Sequence, residues 1–215
     1  MKKAFFAAVA ALSLSISAQG GVLQHQGANG KIEGVEISTS AMADVNGRQY
    51  ELTTTGAGLR NKKVAILKVK VYVGQFLVSD SGAFVRDLGG ALDSVDNMKA
   101  VAMRMSFLRS VEVEKLVDAY KLGMEANNLN LSAPDVQGFL QAVQDGGDAQ
   151  GGQDMVVVGE KLADGTEVVT YQNSEGKTWT INGAAGFVKG IMSLWIGNTI
   201  EKETEQLKKN LILGN

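Results

Sequence analysis

The stretch that decides the fold is "GAGLRNKKVAILKVKVYVGQFLV", residues 56–78. Two glycines and Arg60 open it, and residues 64–78 then read as one long strand, with Gly74 as a candidate bulge or bend. Strand side chains alternate with period two. Ala65, Leu67, Val69, Val71 and Val73 therefore share one face, and Val64, Ile66, Lys68, Lys70 and Tyr72 the other. Arg60 lies an even number of residues before Tyr72, so an unbroken strand would point both the same way. The lysines beside Tyr72 mark that face as the solvent side, and a bulge near Gly74 or upstream is needed to turn Tyr72 inward.

Outward from this stretch, shorter strands are expected at 34–37 and 49–54, separated by the turn signal Asn46-Gly47. Residues 99–107, "KAVAMRMSF", form a further alternating strand. The period then changes. Val113, Leu116, Val117, Tyr120 and Met124 recur at three- and four-residue spacing, which predicts an amphipathic helix with Ser110 as its cap. A second helix is expected near Ser132, with Pro134 in its first turn. After the glycine-rich loop "DGGDAQGGQD" come strands at 155–159, 167–171 and 177–181, joined by Asp164-Gly165 and Asn173-Ser174-Glu175-Gly176 turns. Two helices close the chain. "AAGFVKGIMSLWIG" is apolar nearly all round, which makes Trp195 a core residue. "NTIEKETEQLKKNLI" is amphipathic, with Asn198 and Glu201 spaced as a capping box and Glu205 supporting Lys209. Strands, helices, strands and helices in that order predict an α+β fold with a mostly antiparallel sheet.

Residues 1–18 stand apart from this pattern. Lys2 and Lys3, the apolar run 4–16 and small residues at Ser15, Ser17 and Ala18 have the layout of a cleaved secretory signal. With no cysteine there to carry a lipid, the expected location is periplasmic or secreted. Residues 19–44 read as an irregular lead-in, with His25 as a solvated surface residue, and residues 45–215 as one domain.

Composition excludes several functions. The chain has 21 basic residues, and setting aside Lys2 and Lys3 leaves 19 against 23 acidic ones, a formal charge of −4. That balance argues against nucleic acid or an anionic membrane surface as the main partner, and no later segment has the length of a membrane span. The absence of cysteine removes disulfide and thiolate chemistry. His25 is the sole histidine, so zinc sites and Ser-His-Asp catalysis find no support, and no cofactor is expected. Asp145, Asp148 and Asp154 lack the spacing of a calcium loop. "GAGLRN" is not a dinucleotide fingerprint, because Asn61 fills its sixth position and a strand follows.

Three blocks carry a resemblance: residues 56–78 quoted above, "MRMSFLRSVEVEKLVDAYKLGMEAN" at 103–127, and "GFVKGIMSLWIGNTIEKETEQLKKNLI" at 186–212. In order and spacing the chain resembles the chalcone isomerase-like family, especially its exported bacterial members. The resemblance implies an open-faced β-sandwich, a large antiparallel sheet with a layer of helices on one face and a ligand cleft between them. Catalytic members need a cation beside the developing enolate, and Arg60 matches that arginine. Their threonine falls in "KVKVY", which offers only Lys70 or Tyr72. Their tyrosine and asparagine lie seven residues apart, a spacing that Tyr120 and Asn127 reproduce. Alignment on "FLR", however, places those two positions near Lys115 or Leu116 and near Gly123. A final polar position falls on Leu194. The expected catalytic set is therefore empty, and the resemblance points away from isomerase activity. In fatty-acid-binding members an arginine and a tyrosine of the strand block clamp the carboxylate, and Arg60 and Tyr72 match both. The resemblance thus implies a small apolar carboxylate, such as a fatty acid, as ligand. A guanidinium fork and a phenol suit that group chemically. An isomerase acting on another enone, or an envelope interaction protein without ligand, are the alternative readings.

Overall fold

The computed structural model of the protein describes residues 21–64 and 66–214. Residues 1–18, which read as a secretory signal, lie outside the described residues. Ten strands and five α-helices follow in the order β1 (Leu23–Gln26), β2 (Lys31–Ile32), β3 (Val35–Glu36), β4 (Ser40–Val45), β5 (Arg48–Val64), β6 (Leu67–Val78), α1 (Ala91–Ser94), β7 (Ala100–Phe107), α2 (Val113–Ala126), α3 (Pro134–Gly146), β8 (Asp154–Lys161), β9 (Glu167–Gln172), β10 (Thr178–Gly183), α4 (Phe187–Ile196) and α5 (Lys202–Leu213). Eight strands form one antiparallel sheet in the order β1-β4-β5-β6-β7-β8-β9-β10, and β2 and β3 form a separate small ladder. The class is α+β, as the element order implied.

The segment expected to be one strand is two. β5 reverses between Val64 and Leu67 and returns as β6, with Val64 opposite Leu67 and Arg60 opposite Tyr72. The reversal carries no Gly, Pro, Asn or Asp, so the usual turn chemistry is missing from the sequence there. Two bulges interrupt the pairing. Tyr72 pairs with Arg60 but Lys70 with Asn61, which leaves Val71 as an extra residue, and Thr55 is extra on the partner strand. Gly74 makes no bulge and pairs regularly with Gly58 and Met105.

The lead-in is also not irregular. β1 and β4 extend the main sheet, and β2 and β3 cover Ala57 and Val73 with Ile37 and their own apolar side chains. The strand expected at 34–37 forms as β3, whereas Gln- and Gly-rich composition concealed β1 and β2, which are short, and β4. The sheet curls far enough for Asn46, in the β4–β5 turn, to bond Glu160 on β8, Thr170 on β9 and Thr180 on β10. A smaller core including Leu52, Leu77, Ala100, Ala102 and Val158 fills that curled side.

The helices cover the other side. Phe76, Met103, Met105, Phe107, Met155, Val157 and Tyr171 of the sheet meet Phe139, Met124, Ile191, Trp195 and Leu207 of the helices in the main core. The buried residues of α2 are Val113, Leu116, Val117, Tyr120 and Met124, the same five the helical period selected. Its N-terminus takes Asp148 rather than Ser110, whose hydroxyl is turned to Gln150 and Gly151: the Asp148 carboxylate accepts from the Val113 amide at 2.9 Å. Helix α3 begins on Pro134, as expected.

Helix α5 lies directly on the backbone of β5. A Cβ at Gly56 would stand 2.1 Å from the Asn210 carbonyl oxygen, and one at Gly58 would stand 2.7 Å from the Asn210 Cβ. The glycines before Arg60 are there to admit this helix. Thr55, ejected from the ladder by its bulge, donates to the α5 carbonyl of Leu211 at 2.8 Å and seals the contact.

Candidate functional site

Arg60 and Tyr72 are cross-strand partners, so they project from the same side of the sheet. The Val71 bulge makes that the helix-facing side. Tyr72 packs against the main core, with its ring 5.3 Å from that of Phe107 on β7. Lys70, one bulge away, faces the opposite side and pairs with Glu33 at 2.6 Å. The parity that had assigned Tyr72 to solvent fails at this one inserted residue.

The Arg60 side chain is 15% exposed and already holds a carboxylate. Its Nη2 donates to Glu201 Oε2 at 2.5 Å, while Nη1 donates to the Asn61 carbonyl. Glu201 is the N-cap residue of α5, at the end of the α4–α5 connection. The capping box expected for this helix does not form. Asn198 instead donates its backbone amide to Asn127 Oδ1 at 2.7 Å, and the helix starts at Lys202. Glu201 is thereby left free to reach the sheet.

Behind the pair lies a cluster of aromatic polar groups. Burial raises the Tyr72 phenol above its usual range, opposed by the Arg60 charge and by the indole of Trp195. Burial raises Tyr120 much further, and Tyr171 and Tyr72 add to its shift. Tyr171 is raised by burial alone. Tyr120 Oη sits 3.5 Å from Met105 Sδ, and its ring stands edge-on to Trp195 at 5.9 Å. Tyr171 Oη is buried without a hydrogen-bond partner. So β6, α2 and β9 each send a phenol into the core layer, among aromatic side chains and methionines such as Met103, Met105, Met124 and Met155.

The space between sheet and helices is filled by these side chains. Two open concavities lie on the opposite side of the sheet, near the β2–β3 turn, and neither Arg60 nor Tyr72 lines them. Arg60 and Tyr72 thus form a covered polar pair at the edge of a packed core, occupied by an internal carboxylate.

A family model described as chalcone isomerase-like matches residues 29–214. The chain belongs to the chalcone isomerase-like family. No curated protein matches it in sequence. Among solved structures it is similar to a fatty-acid-binding protein of Arabidopsis thaliana, with a TM-score of 0.58 and 15% identity over 83% of this chain and 92% of that one. At that identity the likeness establishes the shared fold.

The catalytic positions of chalcone isomerase-like enzymes can now be located. Lys115 is exposed and pairs with Glu112 at 2.7 Å, and Leu116 is buried in the core. Gly123 and Leu194 face each other closely enough that a Cβ on Gly123 would stand 2.8 Å from Leu194 Cδ2. Two positions aligned with polar residues of the enzymes are therefore an apolar contact. Asn127, which the seven-residue spacing had offered, instead stitches α2 to the end of α4. It donates to the Gly123, Ser193 and Asn198 carbonyls and accepts from the Asn198 amide.

A second polar network, on the other side of the sheet, escaped the sequence reading. Arg104 donates to Asp154 at 2.8 Å and to the Glu36 carbonyl, and Ser106 donates to the same carboxylate at 2.6 Å. Gln75 bonds Ser38 and Thr54, and Ser38 Oγ lies 3.1 Å from His25 Nδ1. His25 is exposed, as expected, but stands on β1 against this network rather than in a loose tail. Desolvation by the groups packed beside it first, and then the Arg104 charge, lower its pKa to about 4 against the opposing charge of Asp154. The signal available in the sequence was an arginine inside the apolar run "AVAMRMSF". The network's members satisfy one another, which fits a role in fastening β1–β3 to the sheet.

Proposed function

We propose that this protein is an exported, non-catalytic carrier that binds a small apolar carboxylate, of the fatty-acid type, between sheet and helices. The observation that carries the reading is the Arg60–Tyr72 pair with Glu201 in place. The chain's own carboxylate sits on the guanidinium that a ligand carboxylate would use, 2.5 Å from Nη2. Glu201 acts as an internal stand-in, and a ligand takes its place when the α4–α5 connection moves aside. The methionines at 103, 105, 124 and 155 are unbranched and readily rearranged, so the layer behind the pair can open for an acyl tail. The fatty-acid-binding function of the Arabidopsis structure supports the ligand class. The layout of residues 1–18 supports export, to the periplasm or outside the cell.

The packed core favours a second reading, an envelope interaction protein whose cleft is filled by its own side chains. Native mass spectrometry of the protein purified from the periplasm without detergent, followed by solvent extraction, separates the two. The carrier reading expects a discrete bound mass that disappears in Arg60→Ala. Bare polypeptide, together with no uptake of added palmitate by the purified protein, overturns it.

A further inference from the structure

The β5–β6 hairpin outruns the sheet that it belongs to. β4 pairs with β5 only as far as Thr53, and β7 pairs with β6 only from Tyr72 onward. The ribbon from Asn61 opposite Lys70 to Val64 opposite Leu67 therefore projects with neither edge paired into the main sheet, reaching about 13 Å beyond it at the usual strand rise. At its end Ile66 is 91% exposed and Leu67 66% exposed, the two most exposed large apolar residues in the described chain. Around them stand Lys62, Lys63 and Lys68, all exposed and without an ion-pair partner among the described residues. From Arg60 to Lys70 the sequence holds five cations and no acidic residue. Glu201 and Glu33 neutralise the two at the base, which leaves the three near the tip free.

Lysines on an unpaired ribbon are a known protection against edge-to-edge aggregation. That role explains the lysines but not two exposed aliphatic residues at the tip, which protection alone would remove. An apolar tip ringed by free cations matches one kind of surface, a bilayer with anionic headgroups, where cations sit among phosphates and aliphatic side chains reach the acyl boundary. The net negative charge of the whole chain had argued against such a partner, but charge is segregated here onto one projection.

We propose that the β5–β6 hairpin docks the protein on an anionic phospholipid surface through Ile66, Leu67 and the lysines at 62, 63 and 68. The docking does not depend on the carrier reading, and it would hold in a protein with no ligand at all.

The test is co-sedimentation of the mature protein with vesicles of phosphatidylcholine, alone or with 30% phosphatidylglycerol. Binding is expected only to the anionic vesicles and is expected to weaken with added salt. The triple variant K62Q/K63Q/K68Q should lose roughly fivefold affinity per lysine, about a hundredfold in all. I66S and L67S should each lower binding by about tenfold. All five side chains are exposed, so thermal unfolding of the variants should match wild type and exclude misfolding as the cause. Absence of binding to anionic vesicles overturns the proposal, as does binding undiminished in the triple variant. Self-association that ignores vesicles and is lost in I66S/L67S also overturns it, and assigns the tip to a second copy of the chain.

Discussion

Arg60 and Tyr72 stand directly opposite each other on β5 and β6, and the single extra residue Val71 brings Tyr72 to the helical side that Arg60 already faces. The guanidinium is occupied by Glu201 from the start of α5, so the geometry of the pair and the position of the α4–α5 connection are linked.

Glu201→Gln and Arg60→Ala should therefore act in opposite directions on ligand affinity. Removing the internal competitor is expected to tighten palmitate binding by roughly two- to fivefold, the worth of a partly exposed ion pair. Removing the guanidinium should weaken it by roughly ten- to a hundredfold, as expected for loss of hydrogen bonds to a charged group. Displacement of a fluorescent fatty acid would measure both. Equal affinities in the two variants would rule out a competition between Glu201 and the ligand.

Gly56→Ala should destabilise the fold by about 3 kcal/mol or more, because its Cβ would meet backbone of α5 that has no flexible end to move aside. Gly47→Ala, in open space at positive φ, should cost only about 1 kcal/mol. Urea unfolding midpoints would rank the two.

Tyr171→Phe should stabilise the protein by about 1 kcal/mol, since it deletes a buried hydroxyl that has no partner while keeping the ring against Trp179 and Phe139. A fall in stability of that size would mean that the hydroxyl has a partner, such as a buried water.

All four tyrosines have phenols raised above the usual value. The folded state holds those protons more tightly than the unfolded chain, so this stabilisation is complete below pH 10 and is lost as pH rises beyond it. The phenols of Tyr120 and Tyr171, the two buried tyrosines, should stay protonated through pH 10 in the native protein and ionise only with unfolding, read as absorbance at 295 nm. A native titration of more than two phenols near pH 10 would contradict that burial.

His25 provides the acidic counterpart. Its folded pKa, about 4, lies below the unfolded value, so its contribution is complete above pH 6.5 and declines as pH falls toward 4. As the sole histidine it gives a single imidazole Hε1 resonance, which should not shift between pH 7 and 5.

Much of the fold was legible because it rests on local chemistry. The five buried residues of α2, the proline that opens α3 and the Asn46-Gly47 turn, with both residues at positive φ, follow from periodicity and backbone preference alone. Family membership was legible in the order of three blocks. The hairpin at Val64–Leu67 was not, because its turn carries no turn residue. Nor were β1, β2 and β4, although the strand expected at 34–37 does form as β3; β1 and β2 are too short to show a period, and β1 pairs only with β4, some seventeen residues on.

The candidate site divides in the same way. The sequence's resemblance to the family singled out Arg60 and Tyr72, while the alternation of its own side chains put Tyr72 on the solvent face. Only the tertiary structure decided that the two residues meet across a ladder rather than along a strand. It alone placed Tyr72 inside, and it alone put Glu201 on Arg60. The physical reason is that one bulged residue reverses the facing of every side chain on one side of it relative to the other. Whether a residue is the extra one depends on what its partner strand pairs with, and no alternation of side chains within a single segment carries that information.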